Sequence, residues 1–312
     1  MRPRIAVIGA GAVGGYVGGH LARTGQDVTL IDPWPAHVEA IRAQGLELEG
    51  VTPEESCTVR VDAIHLTELQ GFSKQRPVDI AIVAVKSYDT EWATTMIRQY
   101  LGEGGFVVSL QNCINEERIA ALVGWGRTVG CIAALLVAEL HAPGRIRRTV
   151  AKGGQEHAVF RLGEVHGRIT RRVEELGAMI AAVDSVKVTR NLWGERWSKL
   201  CVNGMRNGLS AVTGLGGNNR ERNDAARRFS IRLGERPFAS ARRWATTWSA
   251  SRRSSRSVWR KPRKATRRRW RRWKPCCWRP RTRRSGATCS VPPWRGTVQK
   301  LGELRCPHRL RA

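Results

Sequence analysis

Apolar residues come in short unbroken runs through the first part of this chain of 312 residues. Ile5 to Ile8, Asp27 to Ile31, Val78 to Lys86 and Gly105 to Asn112 are too continuous for strands with one wet face. They are also too short for helices, so they predict parallel strands buried on both sides. Helical spacing takes over from Val13 to about Arg23, closing near Gly25, and again from Arg190 to Gly214. Strands and helices in this order predict an α/β doubly wound parallel sheet over about residues 1–187. An all-helical second domain is expected to start at about residue 188. The longest apolar stretches fall short of the ~18 residues a membrane span requires, so no membrane partner is expected. The N-terminus carries no signal-peptide cleavage pattern. Cys57, Cys113, Cys131 and Cys201 are widely spaced and read as reduced thiols of a cytoplasmic protein, with no metal site.

Charge breaks the chain near residue 235. Residues 236–312 hold 25 of the 54 Lys and Arg but one of the 26 acids, Glu303. They also hold seven of the twelve Trp, and no Ile, Asn, Asp or Tyr. The genetic code offers a test. If codons after Glu235 are read two bases late, every Trp codon becomes Leu, Val or Met. CG-type Arg codons become Ala, Ser, Pro or Thr. With free bases chosen to suit, RPFASARRWATTWSAS re-reads as SVRVGQALGYDLERI. RRRWRRWKPCCW re-reads as AAALEAVEAVLL, apolar at helical spacing. We read residues 236–312 as a frameshifted segment with too few aliphatics to pack, hence disordered. The helical domain is then truncated, with 188–235 as its start. The competing reading is a genuine basic tail that binds polyanions without sequence preference. No specific nucleic-acid partner is expected, and the oligomeric state is left open.

The strongest chemistry lies in RIAVIGAGAVGGYVGGHLARTGQDVTLID. Gly9, Gly11 and Gly14 form G-x-G-x-x-G, with Ala10, Ala12 and Val13 between them. A lone motif of this kind is weak. Here strand, turn, helix, second strand and a terminal acid follow in the required order. Gly9 makes the tight turn, Gly11 lets backbone approach a pyrophosphate, and Gly14 lets helix pack on strand. The helix N-terminus supplies N–H donors to the phosphates. Asp32 stands where an acid would bond the ribose hydroxyls, which favours NADH because a carboxylate repels a 2′-phosphate. Its alternative role is to start the turn at Pro33. Lys86 and Asn112 are expected at carboxyl ends of strands, the ligand edge of such sheets. A solvated Lys and a helix cap are the plain alternatives for these two.

Lys199, Asn203 and Asn207 recur every four residues, which places them on one helical face. Asn is a poor helix former, so two of them beneath a Lys call for a reason. A polar stripe facing a cofactor cleft would provide it, with the ammonium protonating a carbonyl oxygen and the amides holding substrate.

With GAGAVG at Gly9, AVKSYDT around Lys86, SLQNCINEERI around Asn112 and W-x-KL-x-x-N-x-x-x-N from Trp197, the chain resembles the ketopantoate reductase (2-dehydropantoate 2-reductase) family. The resemblance runs from Arg4 to about Glu235. It implies a Rossmann-type domain followed by a helical domain, with the active site between them. It implies NADPH-dependent reduction of the 2-keto acid 2-dehydropantoate to pantoate, for coenzyme A synthesis. By the same resemblance Lys199 would be the general acid, Asn203 and Asn207 would hold substrate, and Asn112 would contact the reacting end of the cofactor. Lys86 would lie in the cofactor cleft. A related 2-keto acid dehydrogenase is the nearest alternative, and a polyanion-binding protein is the alternative from another class. Two features depart from the family. Asp32 stands where NADP-using members tend to carry a basic residue. The family's late segment resembling RPSM is absent as printed, although TCSVPPW re-read in the shifted frame yields LLRPSM. The last residues, LGELRCPHRLRA, do not reconstruct, which points to a second change near residue 295.

Overall fold

The computed structural model describes residues 2–153 and 158–243, all of which fall in one unit, Met1–Val258. In chain order the elements are β1 (Arg4–Ile8), α1 (Ala12–Arg23), β2 (Asp27–Asp32), α2 (Pro35–Gln44), β3 (Leu46–Glu49), β4 (Cys57–Val59) and β5 (Asp62–His65). Then come β6 (Val78–Val83), α3 (Thr90–Arg98), β7 (Leu101–Ser109), α4 (Glu116–Val123), β8 (Thr128–Ala133), β9 (Ala138–Ala142) and β10 (Arg145–Arg148). The remainder is β11 (Phe160–Glu164), α5 (Arg171–Ala181), β12 (Val186–Val188), α6 (Leu192–Thr213), α7 (Gly217–Arg222) and α8 (Asp224–Arg243).

Eight strands form the main sheet in the order β12-β11-β8-β7-β6-β1-β2-β5. All neighbouring pairs are parallel except β8 with β11. The chain winds outward from β1 through β2 to β5, then returns to lay β6 on the other side of β1. That reversal leaves a crevice above the carboxyl ends of β1 and β6, where folds of this kind bind ligands.

The apolar runs behave as their continuity requires. Ile5, Val7, Leu30, Ile80, Ile82 and Val108 belong to one core cluster, while Ala6, Ile8, Ile31, Ala81, Val83 and Val107 belong to another. Successive side chains alternate faces, and both faces are dry. Tyr16, Val17 and Leu21 of α1 and Val173, Leu176 and Ile180 of α5 pack in the first cluster. Ala93 and Ile97 of α3 and Ile119 of α4 pack in the second.

The structure adjusts two strand ends. β6 stops at Val83, so Lys86 lies three positions beyond it, and β7 stops at Ser109, so Asn112 sits in the following loop. A four-stranded sheet of order β4-β3-β10-β9 also appears, which sequence reasoning did not anticipate. Its strands span three to five residues, too short to show a periodicity.

Helix α6 ends at Gly214, which takes the left-handed conformation (φ +68°) that terminates helices. Helices α6 and α8 pack closely. A Cβ on Gly234 would lie 2.7 Å from Met205 Cγ, and Ser230 Oγ donates to Met205 O at 2.9 Å. α8 continues to Arg243, so residues 236–243 of the basic segment are helical rather than irregular. Ala and Arg, which recur there, are strong helix formers. The rest of the expected frameshifted tail, residues 244–312, lies outside the described residues. Among the described residues no helix is long and apolar enough to cross a membrane.

Candidate active site

The glycine loop is built into the crevice between β1 and β6. Gly9 has φ +93°, in the region that disfavours side chains, and a Cβ there would meet Val85 N and Cγ1 at 3.0 Å. The loop therefore presses against the segment that leads to Lys86. A Cβ on Gly14 would fall 2.0 Å from Gly9 O and 2.8 Å from Ala84 Cβ, so α1 packs here only because Gly14 lacks one. A Cβ on Gly11 would meet nothing within 4 Å. Gly11 thus faces open space at the N-terminus of a 12-residue helix with no acid in its first turn. An anion fits there, attracted by the free N–H groups and the helix dipole.

Asp32 closes the loop from β2. Its Oδ2 accepts from Ala10 N at 2.8 Å and its Oδ1 from Trp34 N at 3.0 Å. The carboxylate therefore fixes both the glycine loop and the turn into α2. The turn role is present in the structure, and each oxygen retains a second lone pair for a ribose hydroxyl.

Helix α6 approaches the carboxyl edge of the same sheet. Lys199 Nζ donates to Ala134 O, just past β8, at 3.1 Å. One turn later Asn203 Nδ2 donates to Asn112 Oδ1 at 3.3 Å. The structure thus brings Lys199, Asn203 and Asn112 to one edge, and Asn207 is exposed a further turn along. The loop carrying Asn112 is held from within. Asn115 Nδ2 donates to Asn112 O at 2.8 Å, and Ser87 Oγ donates to Asn115 Oδ1 at 2.6 Å. Gln111 Nε2 donates to Val85 O and Thr90 Oγ1, both at 2.9 Å. The loops bearing Lys86 and Asn112 are therefore one cross-tied unit. Cys113 within it has φ +69°, a rare conformation for a side-chain-bearing residue and one that collects at functional loops.

Sequence reasoning missed the residue that docks α6 on this edge. Arg196, fully buried, donates to Gln111 O at 2.5 Å, to Ser109 O at 2.8 Å and to Ser109 Oγ at 3.1 Å. Its Nε donates to the buried Glu116 at 2.6 Å. It lies beside the Lys199 stripe, but its partners precede it by 80 to 87 positions, so no local spacing reveals it. Arg196→Met leaves Glu116 buried without its counter-ion. It is expected to destabilise the fold by about 3–5 kcal/mol, read as a lowered urea midpoint. Burial pushes the Cys201 thiol up to about 11 and the Cys131 thiol up to about 12. Neither is a thiolate nucleophile at neutral pH.

A glycine loop at a sheet's switch point, with a Lys–Asn stripe on a later helix bonded to the same carboxyl edge, defines a Rossmann-type fold with a polar rim. The family model described as ketopantoate reductase PanE/ApbA matches residues 5–160. The chain belongs to the ketopantoate reductase family. It is 33% identical over 217 residues to a 2-dehydropantoate 2-reductase of Pyrococcus horikoshii, a match covering 67% of this chain and 64% of that one. It is 30% identical to one of Mesorhizobium japonicum, covering 68% and 67%. The crystal structure of 2-dehydropantoate 2-reductase from Geobacter metallireducens superposes with a TM-score of 0.69 at 30% identity, covering 80% of this chain and 78% of that one. The chain thus matches less than two thirds of the length of the Pyrococcus relative.

Proposed function

We propose that this chain derives from an NAD(P)H-dependent reductase that converts 2-dehydropantoate to pantoate. The observation that carries the reading is the Lys199–Asn203 face of α6, bonded to Asn112 at the sheet edge that also bears the glycine loop. The relatives named above act on this 2-keto acid by their names, and the polar stripe suits a small anionic ketone. Gly9, Gly11 and Gly14, with Ala10, Ala12 and Val13, form the pyrophosphate cradle. When bound, the nicotinamide supplies a hydride to the ketone carbon. Lys199 holds a proton on Nζ and gives it to the ketone oxygen as negative charge develops there. Asn203 and Asn207 offer amides to the substrate's carboxylate and hydroxyl. Asn112 orients the reacting end of the cofactor, and Lys86 lies in its cleft. Pantoate formation with loss of reduced nicotinamide, assayed on a chain with its frame restored after codon 235, tests the assignment. Turnover of a different 2-keto acid in its place would move the substrate to a related dehydrogenase.

For the cofactor, NADPH is the family's default, while Asp32 favours NADH by repelling a 2′-phosphate. Asp32→Arg is expected to raise the NADPH-to-NADH affinity ratio about tenfold or more, as repulsion gives way to attraction. Because Asp32 also holds Ala10 N and Trp34 N, both cofactors should bind more weakly in absolute terms. A wild-type chain that strongly prefers NADPH would reduce Asp32 to its turn role.

A further inference from the structure

The glycine loop is gripped from a second side by a residue outside the motif. His37, in the first turn of α2, is fully buried. Its Nε2 lies 2.9 Å from Ala10 O, and its Nδ1 lies 2.9 Å from Gly144 N. Gly144 N–H can only donate, so Nδ1 must accept, and the single ring proton sits on Nε2 and is donated to Ala10 O. The hydrogen bonds thus select one tautomer. Trp34 stacks on the ring, with centroids 5.7 Å apart and planes 21° apart, and covers its outer side.

We propose that His37 is a positioning residue that aims the Gly11 N–H at the cofactor's pyrophosphate, an inference that rests on the dinucleotide-binding reading above. The peptide joining Ala10 to Gly11 is planar and trans, so its C=O and N–H point in opposite directions. Holding the carbonyl on the imidazole turns the Gly11 N–H away from His37, and a Cβ on the same residue would meet nothing within 4 Å, so there is open space beside Gly11. The carbonyl leaves its own mark on the sequence. A Cβ on Gly15 would lie 2.4 Å from Ala10 O, so the residue beneath that oxygen has to be glycine. Asp32 secures the preceding peptide through Ala10 N at 2.8 Å. The two residues therefore fix two successive peptides of the cradle before any ligand arrives, a preorganisation that lowers the cost of binding. Gly144, in the turn between β9 and β10, ties the small sheet to this function by selecting the tautomer.

The test separates the two ring nitrogens. His37→Gln can still donate to Ala10 O from near the Nε2 position. His37→Asn can accept from Gly144 near the Nδ1 position but no longer reaches Ala10. NADPH and NADH dissociation constants are measured for the full chain and both variants, at salt high enough to suppress non-specific binding by the basic segment. H37N is expected to weaken binding about tenfold and H37Q less than threefold, with similar melting temperatures for the two. Equal losses in both variants, or none in either, would overturn the role of His37 while leaving the cofactor reading intact. A wild-type chain that binds neither cofactor would overturn that reading and this inference with it. If H37N fails to fold, nitrogen-15 NMR of the wild-type imidazole decides. A proton on Nε2 with a bare Nδ1 supports the role, and the reverse tautomer overturns it.

Discussion

Restoring the reading frame after codon 235 is expected to raise 2-dehydropantoate reductase activity by about three orders of magnitude or more over the chain as printed. The reason is that the α6 face is open to water, with Lys199 and Asn203 only half-buried and Asn207 exposed. A proton donor and two amides are effective only where water is excluded and their dipoles are already oriented. In the printed chain α6 and α8 leave apolar surface uncovered, with Val212 85% exposed and Phe229 52% exposed. The re-read segment is expected to supply Leu- and Ala-rich helix in place of Arg and Trp. Restoration should also raise solubility and resistance to proteolysis, because the uncovered apolar surface would be buried. The comparison needs both chains, one assay and the verified nucleotide sequence around codon 235. An authentic, uninterrupted frame whose product is fully active would overturn the frameshift account.

Within the restored chain, Lys199→Ala is expected to lower kcat by roughly 10²–10⁴-fold, the usual contribution of a positioned general acid. KM should change little, because Asn203 and Asn207 would still hold the substrate. The Nζ bond to Ala134 O fixes the ammonium at the rim of the sheet, and an unchanged melting temperature in the variant would separate loss of a proton source from loss of that contact. A fall in KM-normalised rate that comes wholly from KM would assign Lys199 to binding instead.

What the sequence revealed depended on how local each signal was. The glycine loop was legible because its turn, approach and packing requirements all fall within six residues, and the structure shows a positive φ at Gly9, open space beside Gly11 and close packing at Gly14. The Lys199 stripe was legible because a helix repeats every 3.6 residues. Asp32 was half legible. Its place at the end of β2 was plain, but its grip on Ala10 N crosses 22 positions and leaves no periodic trace. Arg196 on Glu116 and His37 on Gly144 were not legible, since their partners lie 80 and 107 positions away. Buried charges and imidazoles look like surface residues until the fold surrounds them. The four-stranded sheet escaped for the same reason, because β3 and β10 pair in parallel from distant parts of the chain.

The most direct test of the central claim is a product analysis. The frame-restored protein is incubated with 2-dehydropantoate and either NADPH or NADH, and pantoate is measured against oxidised cofactor. The account predicts pantoate formed one-for-one with oxidised nicotinamide, and loss of both in the Lys199→Ala variant. A folded protein that binds neither cofactor, or that oxidises neither with any 2-keto acid, would contradict it.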